Sequence, residues 1–256
     1  MTDATVHSET VLVVGGAAGI GAEAVRQMAS SGRRVVIVDI NDRAGRLLAD
    51  DVDGIFYHGD VSDDTSLGKA IERCADEVAT PDYALLNSGV MTAAPDAPFL
   101  AVHEAPLEAY RRVMSVNVDG VFHGLRHLIP LMLDRGGTIT VTASRAGLVP
   151  TAADAIYAAS KAAAIHLVRS AAQGVQGGKL RINTLCPATV DTTLIADVVR
   201  QANIPLISAA DMAGEAVDLM VTGDNGEIRV RLHDKPAFAT GTFDANVQYQ
   251  APDTGR

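Results

Sequence analysis

The feature that most constrains this chain is an alternation that starts at residue 10. Short apolar runs, TVLVVG, VVIVD, GIFYHGD, YALLN, TITVTA and LRINTLC, are separated by longer stretches of helical character. The helical stretches run from Gly19 to Ser31, from about Asp63, from Leu107 to Leu133 and from Ala155 to Val175. Strands covered on both faces read as continuous apolar runs, and the helices between them supply the right-handed crossovers that parallel strands need. The pattern predicts an α/β chain with a doubly wound parallel sheet in three αβα layers. At 256 residues it is long enough for one sizeable core and short for two. Residues 1–256 are therefore read as one domain, with residues 236–256 an unassigned tail.

Two segments break the regularity, both after strand C-termini. Residues 90–107 contain three prolines, and residues 188–208 read as a short helix on a long loop. In open α/β sheets that edge is where ligands bind, so both segments are expected to wall a substrate.

Charge and composition remove several classes of function. A formal charge of -10 disfavours nucleic acid as a partner, because phosphate contacts need a basic surface. No apolar run approaches the roughly 18 residues of a membrane span, and the first residues (MTDATVHSET) lack a basic and apolar leader. A soluble, cytoplasmic protein without a membrane partner is expected. Cys74 and Cys186 lie far apart and show no metal-ligand spacing, so both read as buried apolar fillers.

The turn after the first apolar run reads Gly15-Gly16-Ala17-Ala18-Gly19-Ile20-Gly21. Small residues let a backbone approach a pyrophosphate, and the following helix N-terminus offers free N–H groups to that anion. Alone, this is equally a tight βα turn. Asp39, closing the second apolar run, adds a carboxylate that accepts hydrogen bonds from ribose hydroxyls and repels a 2′-phosphate. The turn carries no Arg or Lys and Ile40 follows Asp39, so NAD is favoured over NADP.

Tyr157 and Lys161 stand at i and i+4 on a predicted helix, hence on one face. A free phenol titrates near pH 10, too high for an efficient base, and a nearby ammonium is expected to lower it. A bare Y-x-x-x-K is more often a core tyrosine beside a surface lysine.

The ordered set of the Gly-rich turn, Asp39, Asp60-Val61, Asn87-Ser88-Gly89, Asn117-Val118, Ser144 and Tyr157-x-x-x-Lys161 resembles the short-chain dehydrogenase/reductase family over about residues 8–222. The conjunction is far more specific than any one motif. The resemblance implies a Rossmann fold and an NAD-dependent oxidoreductase that moves a hydride between nicotinamide and a secondary alcohol or ketone. It implies that Tyr157 exchanges the proton with the substrate oxygen and that Lys161 holds the nicotinamide ribose. Ser144 is then the hydrogen-bond donor to the substrate oxygen, and Asn117 the anchor of a proton-relaying water. It also implies that Gly15, Ala18, Gly19, Ile20 and Gly21 cradle the cofactor, that Asp60 and Val61 contact adenine, and that Asn87 and Gly89 lie under the cofactor. The segment from Pro187 resembles the family's Pro-Gly stretch, with Val190 and Thr192 flanking the carboxamide.

The chain departs from that family pattern at Val14, Leu86, Ser88 and Ala188, where Thr, Asn, Ala and Gly are usual. None of these removes a reacting group. Beyond Gly223 the resemblance fades, and the final apolar run, EIRVRLH, is expected at an exposed sheet edge.

A non-catalytic NAD-binding or regulatory protein on the same fold is the main alternative, which the quartet Asn117, Ser144, Tyr157 and Lys161 argues against. His123 and His127, at i and i+4, suggest a metal site, but no third ligand is obvious and none is assigned. Met91, Phe99, Leu100, Val190, Leu194, Ile195 and Val198 suggest a largely apolar substrate pocket, with Arg145 either a substrate contact or a loop cation. The small-residue helix of Tyr157, with Val113, Val116, Val121, Leu125, Leu128 and Leu131 on the preceding helix, predicts a homodimer or homotetramer.

Overall fold

The computed structural model describes residues 8–240, apart from 95, 196, 198, 199, 201–203 and 234. Strands β1 (Thr10–Val14), β2 (Arg34–Asp39), β3 (Ile55–His58), β4 (Tyr83–Leu86), β5 (Gly137–Thr142), β6 (Leu180–Pro187), β9 (Ile228–Arg231) and β10 (Phe238–Thr240) form one eight-stranded sheet. Its order is β10-β9-β6-β5-β4-β1-β2-β3, and every neighbouring pair is parallel except β9 and β10. The order reverses between β1 and β4, where the chain leaves one half of the sheet for the other. A crevice at that switch point, outside the strand C-termini, is the usual ligand site of such a sheet.

Helices α3 (Asp64–Glu77), α5 (Gly120–Met132) and α6 (Ala155–Gly174) cover one face. Their buried stripes, among them Leu67, Ile71, Leu125, Leu128, Ala164 and Val168, pack on Leu12, Val36, Leu86 and Ile139. Helices α1 (Gly19–Ser30), α2 (Asp42–Asp51) and α7 (Ala209–Thr222) cover the other, through Val25, Met28, Leu48, Met212 and Leu219 against Val11, Val13 and Ile37. The expected three layers are present. The sequence reading did not anticipate α2, because DRAGRLLADD buries only Gly45, Leu48 and Ala49. Gly45 leaves room for the Phe56 ring, since a Cβ would stand 2.1 Å from it unless the ring shifted.

The expected Leu107–Leu133 helix is interrupted. Helix α4 (Leu107–Met114) passes through a π-turn at Ser115–Asp119 before α5 begins. Such an inserted residue re-aims side chains, and here it turns Asn117 fully inward.

Two expectations about surfaces need correction. The charges of EIRVRLH do not line an open edge, because β10, inside the stretch left unassigned, pairs antiparallel with β9. Arg229 bonds Asp218 at 2.5 Å and Glu227 at 2.8 Å, and Arg231 reaches Glu215 and the Lys235 carbonyl. The apolar residues assigned to a subunit interface also serve this chain's own core, with Val113, Val121, Leu125 and Leu128 all buried. The outward side of α4 and α5 instead shows Leu107, Tyr110 and Phe122, and that of α6 shows Ala155, Ala159 and Ala162.

Candidate active site

One cavity of about 740 Å³ runs along the strand C-termini from Asp39 and Ile40, past the Gly-rich turn, to Ser144, Tyr157 and Lys161. It ends among Met91, Phe99, Leu194, Ile195, Leu232 and His233.

At the first end, Gly15 and Gly19 adopt φ of 75° and 54°. A Cβ on Gly21 would lie 2.1 Å from the Gly15 carbonyl, so only glycine allows this close passage of turn and helix. No side chain caps α1, whose N-cap is Ala18, and its first N–H groups are left to face the cavity. Asp39 is held rather than swinging free: one oxygen accepts from Ala17 N at 3.0 Å and the other from Asn41 N at 2.9 Å. Asp60 accepts from Ser62 in the same way, and Val61 is buried. Asn87 donates to the Gly15 carbonyl at 3.1 Å, while its own Oδ1 is buried and unpaired. The side-chain-free cradle, the uncapped helix start and that orphaned acceptor fit the diphosphate and ribose of a dinucleotide.

Val14 and Leu86 are both buried and, with Val61, Val116 and Val121, wrap a small void. Two of the four departures from the family pattern thus form an apolar contact beneath the turn. Ser88 sits so close that a Cβ on Gly15 would be 2.6 Å from its Oγ.

At the second end, Asp154 starts α6 by accepting from Tyr157 N, and the helix carries Tyr157, Ser160 and Lys161 inward, all buried. Lys161 Nζ donates to the Thr142 carbonyl at 3.1 Å and lies 5.7 Å from the Tyr157 ring centroid. Ser144, two residues beyond β5, presents a hydroxyl beside Tyr157 that favours the phenolate. Asn117 brackets Val90, accepting from its N–H at 2.8 Å and donating to its carbonyl at 2.9 Å, and also donates to Ser160 Oγ. Gly89 lies where these converge, since a Cβ there would be 3.0 Å from Lys161 Nζ.

The expected lowering of Tyr157 by Lys161 is not what this arrangement gives. Burial pushes the phenol up to about 12; the Ser144 hydrogen bond opposes this, and Asp154 and Cys186 add to it. Burial also pushes the Lys161 ammonium down to about 8, with Cys186 acting the other way. Each group loses water around its charged form, which raises a phenol and lowers an ammonium.

Other expected residues fall into place unevenly. Pro187, Val190 and Thr192 line the cavity, with Thr192 packed near Gly19. Their segment is fastened by β7 (Val190–Asp191) pairing with β8 (Ile207–Ser208), and by Arg200, which donates to Asp191 and to the Thr192 carbonyl. Leu100 is 47% exposed and does not line the cavity, and Val198 lies outside the described residues. Arg145 lines the cavity and is exposed. His123 lies 2.9 Å from the Val61 carbonyl and His127 3.0 Å from Asp64, so each imidazole has a protein partner. Among the described residues no three His, Cys, Asp or Glu side chains form a metal-holding group. No helix among them is long and apolar enough to cross a membrane.

Sequence reading missed Asp154, Ser160, Leu232 and His233. The first has a legible signal, because an Asp three residues before an inward tyrosine fits an N-cap. Leu232 and His233 depend on how β9 is placed beside β6, which no local pattern records.

A parallel sheet with this switch point, Gly-rich cradle and Ser–Tyr–Lys grouping defines a Rossmann-fold protein of the dehydrogenase type. The sequence profile described as short chain dehydrogenase matches residues 9–203. The chain belongs to the short-chain dehydrogenase/reductase family of oxidoreductases, which acts on alcohols and ketones with a nicotinamide cofactor. It is 30% identical over 202 residues to short-chain dehydrogenase reductase 3b of Arabidopsis thaliana, covering 77% of each chain. It is 31% identical over 192 residues to the mitochondrial borneol dehydrogenase of Lavandula x intermedia, covering 75% of this chain and 73% of that one. Its fold matches a short chain dehydrogenase/reductase from Burkholderia phymatum in complex with NAD, with TM-score 0.76 and 22% identity over 87% of this chain and 88% of that one.

Proposed function

We propose that this protein is an NAD-dependent dehydrogenase of secondary alcohols, or reductase of the corresponding ketones, with Tyr157 as the general acid/base. The observation that carries the reading is the convergence of Ser144, Tyr157 and Lys161 in one cavity with the Gly-rich turn and Asp39. When bound, NAD supplies the hydride acceptor. Ser144 holds the substrate oxygen, Tyr157 takes or returns its proton, and Lys161 stands near the phenol with its ammonium directed to the Thr142 carbonyl and the cofactor region. Asp39, already oriented by Ala17 and Asn41, retains lone pairs for ribose hydroxyls and opposes a 2′-phosphate.

The substrate end is mostly apolar, through Met91, Phe99, Leu194, Ile195 and Leu232, which suits a compact apolar alcohol such as the one naming the Lavandula relative. The intact polar quartet favours catalysis over a regulatory NAD-binding role. Association into at least a dimer is supported by the exposed Leu107, Tyr110 and Phe122 on α4 and α5.

A panel of secondary alcohols assayed for NADH absorbance, with NAD and NADP in parallel, tests the reading. The expected result is turnover of apolar alcohols with higher kcat/KM for NAD. Because the phenol, pushed up to about 12, must lose its proton to act as base, oxidation should quicken as pH rises from about 7 towards about 10, while ketone reduction, served by the protonated phenol, holds steady over that range. Equal efficiency with both cofactors would refute the role of Asp39.

A further inference from the structure

We propose that Asp154 is a positioning residue that fixes the substrate wall at residues 90–92 relative to the Tyr157 hydroxyl. The proposal rests on Tyr157 being the acid/base.

Asp154 is 2% exposed, and a carboxylate taken out of water is costly unless its oxygens are hydrogen-bonded. Its two oxygens serve two different segments. Oδ1 accepts from Tyr157 N at 2.9 Å, the ordinary work of a helix N-cap. Oδ2 accepts from Thr92 N at 2.9 Å, on a segment 62 residues away in sequence. Val90 and Met91, just before Thr92, line the cavity.

The whole segment is held by its backbone. Asn117 takes both polar groups of Val90, and Arg112 donates to the carbonyls of Met91 and Thr92 at 2.9 and 3.0 Å. Of these three clamps, Asp154 is the one bonded directly to Tyr157. A Ser or Thr cap would start the helix equally well and leave the Thr92 N–H without this acceptor. An Asn cap has one acceptor oxygen and would turn an NH2 group towards one of the two N–H donors.

A carboxylate in this place works against the phenolate. The charged or titratable groups around Tyr157 are Asp154 and Lys161 on its own helix and Cys186 on β6, with the Ser144 hydroxyl beyond β5. Arg145 and His233 line the same cavity, and Arg112 reaches the wall from α4. Asp154 is among the groups that push the phenol up, so a role limited to capping would sit more easily on a neutral residue. The second hydrogen bond is what the carboxylate adds.

Asp154→Asn and Asp154→Ser separate these functions, since both side chains can cap α6. Each variant should retain NAD affinity within about twofold, raise KM for the alcohol by about tenfold and lower kcat less. With the negative charge gone, the acid limb of kcat/KM should move to lower pH, a change that simple loosening of the helix would not produce. Hydrogen exchange at the Thr92 amide, read without any substrate, should quicken by about tenfold while α3 amides keep their protection. Unchanged Thr92 exchange in both variants overturns the tie. Faster exchange with unmoved KM and pH profile overturns the positioning role. Absence of turnover by the unaltered protein with the whole alcohol panel overturns the proposal together with the reading it rests on, and differs from the other failures because the parent chain itself is inactive.

Discussion

The two ends of the cavity are built differently. The cofactor end is made of strand termini and tight turns from β1 to β4, whose polar groups are fixed by the backbone next to them. Asp39 is bonded to Ala17 and Asn41, and Asp60 to Ser62. The substrate end is assembled from segments distant in sequence. Residues 90–92 are held by Arg112, Asn117 and Asp154, the segment after β6 is fastened by β8 and Arg200, and Leu232 arrives from β9. A site made of local backbone demands particular residues at particular places. A site made of tertiary contacts accepts many side chains, so its specificity lies in the contact set.

This contrast orders the expected damage. Tyr157→Phe, at the junction of the two ends, removes the exchangeable proton and should lower turnover by about 10³-fold, with NAD affinity nearly unchanged in a binding titration. Retention of activity would end the acid/base role. Gly21→Ala should strike the cofactor end alone. Its Cβ would meet the Gly15 carbonyl at 2.1 Å, a clash expected to cost about 1–3 kcal/mol, seen as a lower Tm and weaker NAD binding. A variant with parental Tm would show that the turn has room the structure does not grant it.

Asp39→Ala should narrow the preference for NAD over NADP by about tenfold, or about 1.4 kcal/mol, by removing both repulsion and ribose hydrogen bonds. An unchanged ratio would place discrimination elsewhere. The smallest effect belongs to the substrate end. Phe99→Ala should raise KM for an apolar alcohol by about threefold to tenfold and leave KM for NAD alone. A change in both would mean that the two ends are less separate than their construction implies.

The same contrast accounts for what could be read from sequence. The strand runs, the Gly-rich turn, Asp39 and the Tyr157–Lys161 spacing are local patterns, and the last three meet in one cavity. Helix α2 escaped because its polar surface hides a stripe of three small or apolar residues. Strand β10 escaped because FAT is too short to announce itself, and its pairing with β9 reverses the exposed-edge expectation for Arg229 and Arg231. The phenol's direction was misread because charge spacing is visible in sequence and burial is not. Leu100 was misplaced because proximity along a loop does not decide which side chain turns inward. Asp154 was legible as a cap, but its bond to Thr92 depends on two segments distant in sequence meeting in space.

Following a labelled hydride tests the central claim most directly. The best alcohol of the panel, deuterated at its carbinol carbon, is turned over with NAD, and both products are analysed by mass spectrometry. The account predicts one ketone for each reduced nicotinamide, with the deuterium carried on the nicotinamide. Ketone formation with the deuterium released to water, or reduced nicotinamide without label, would contradict it.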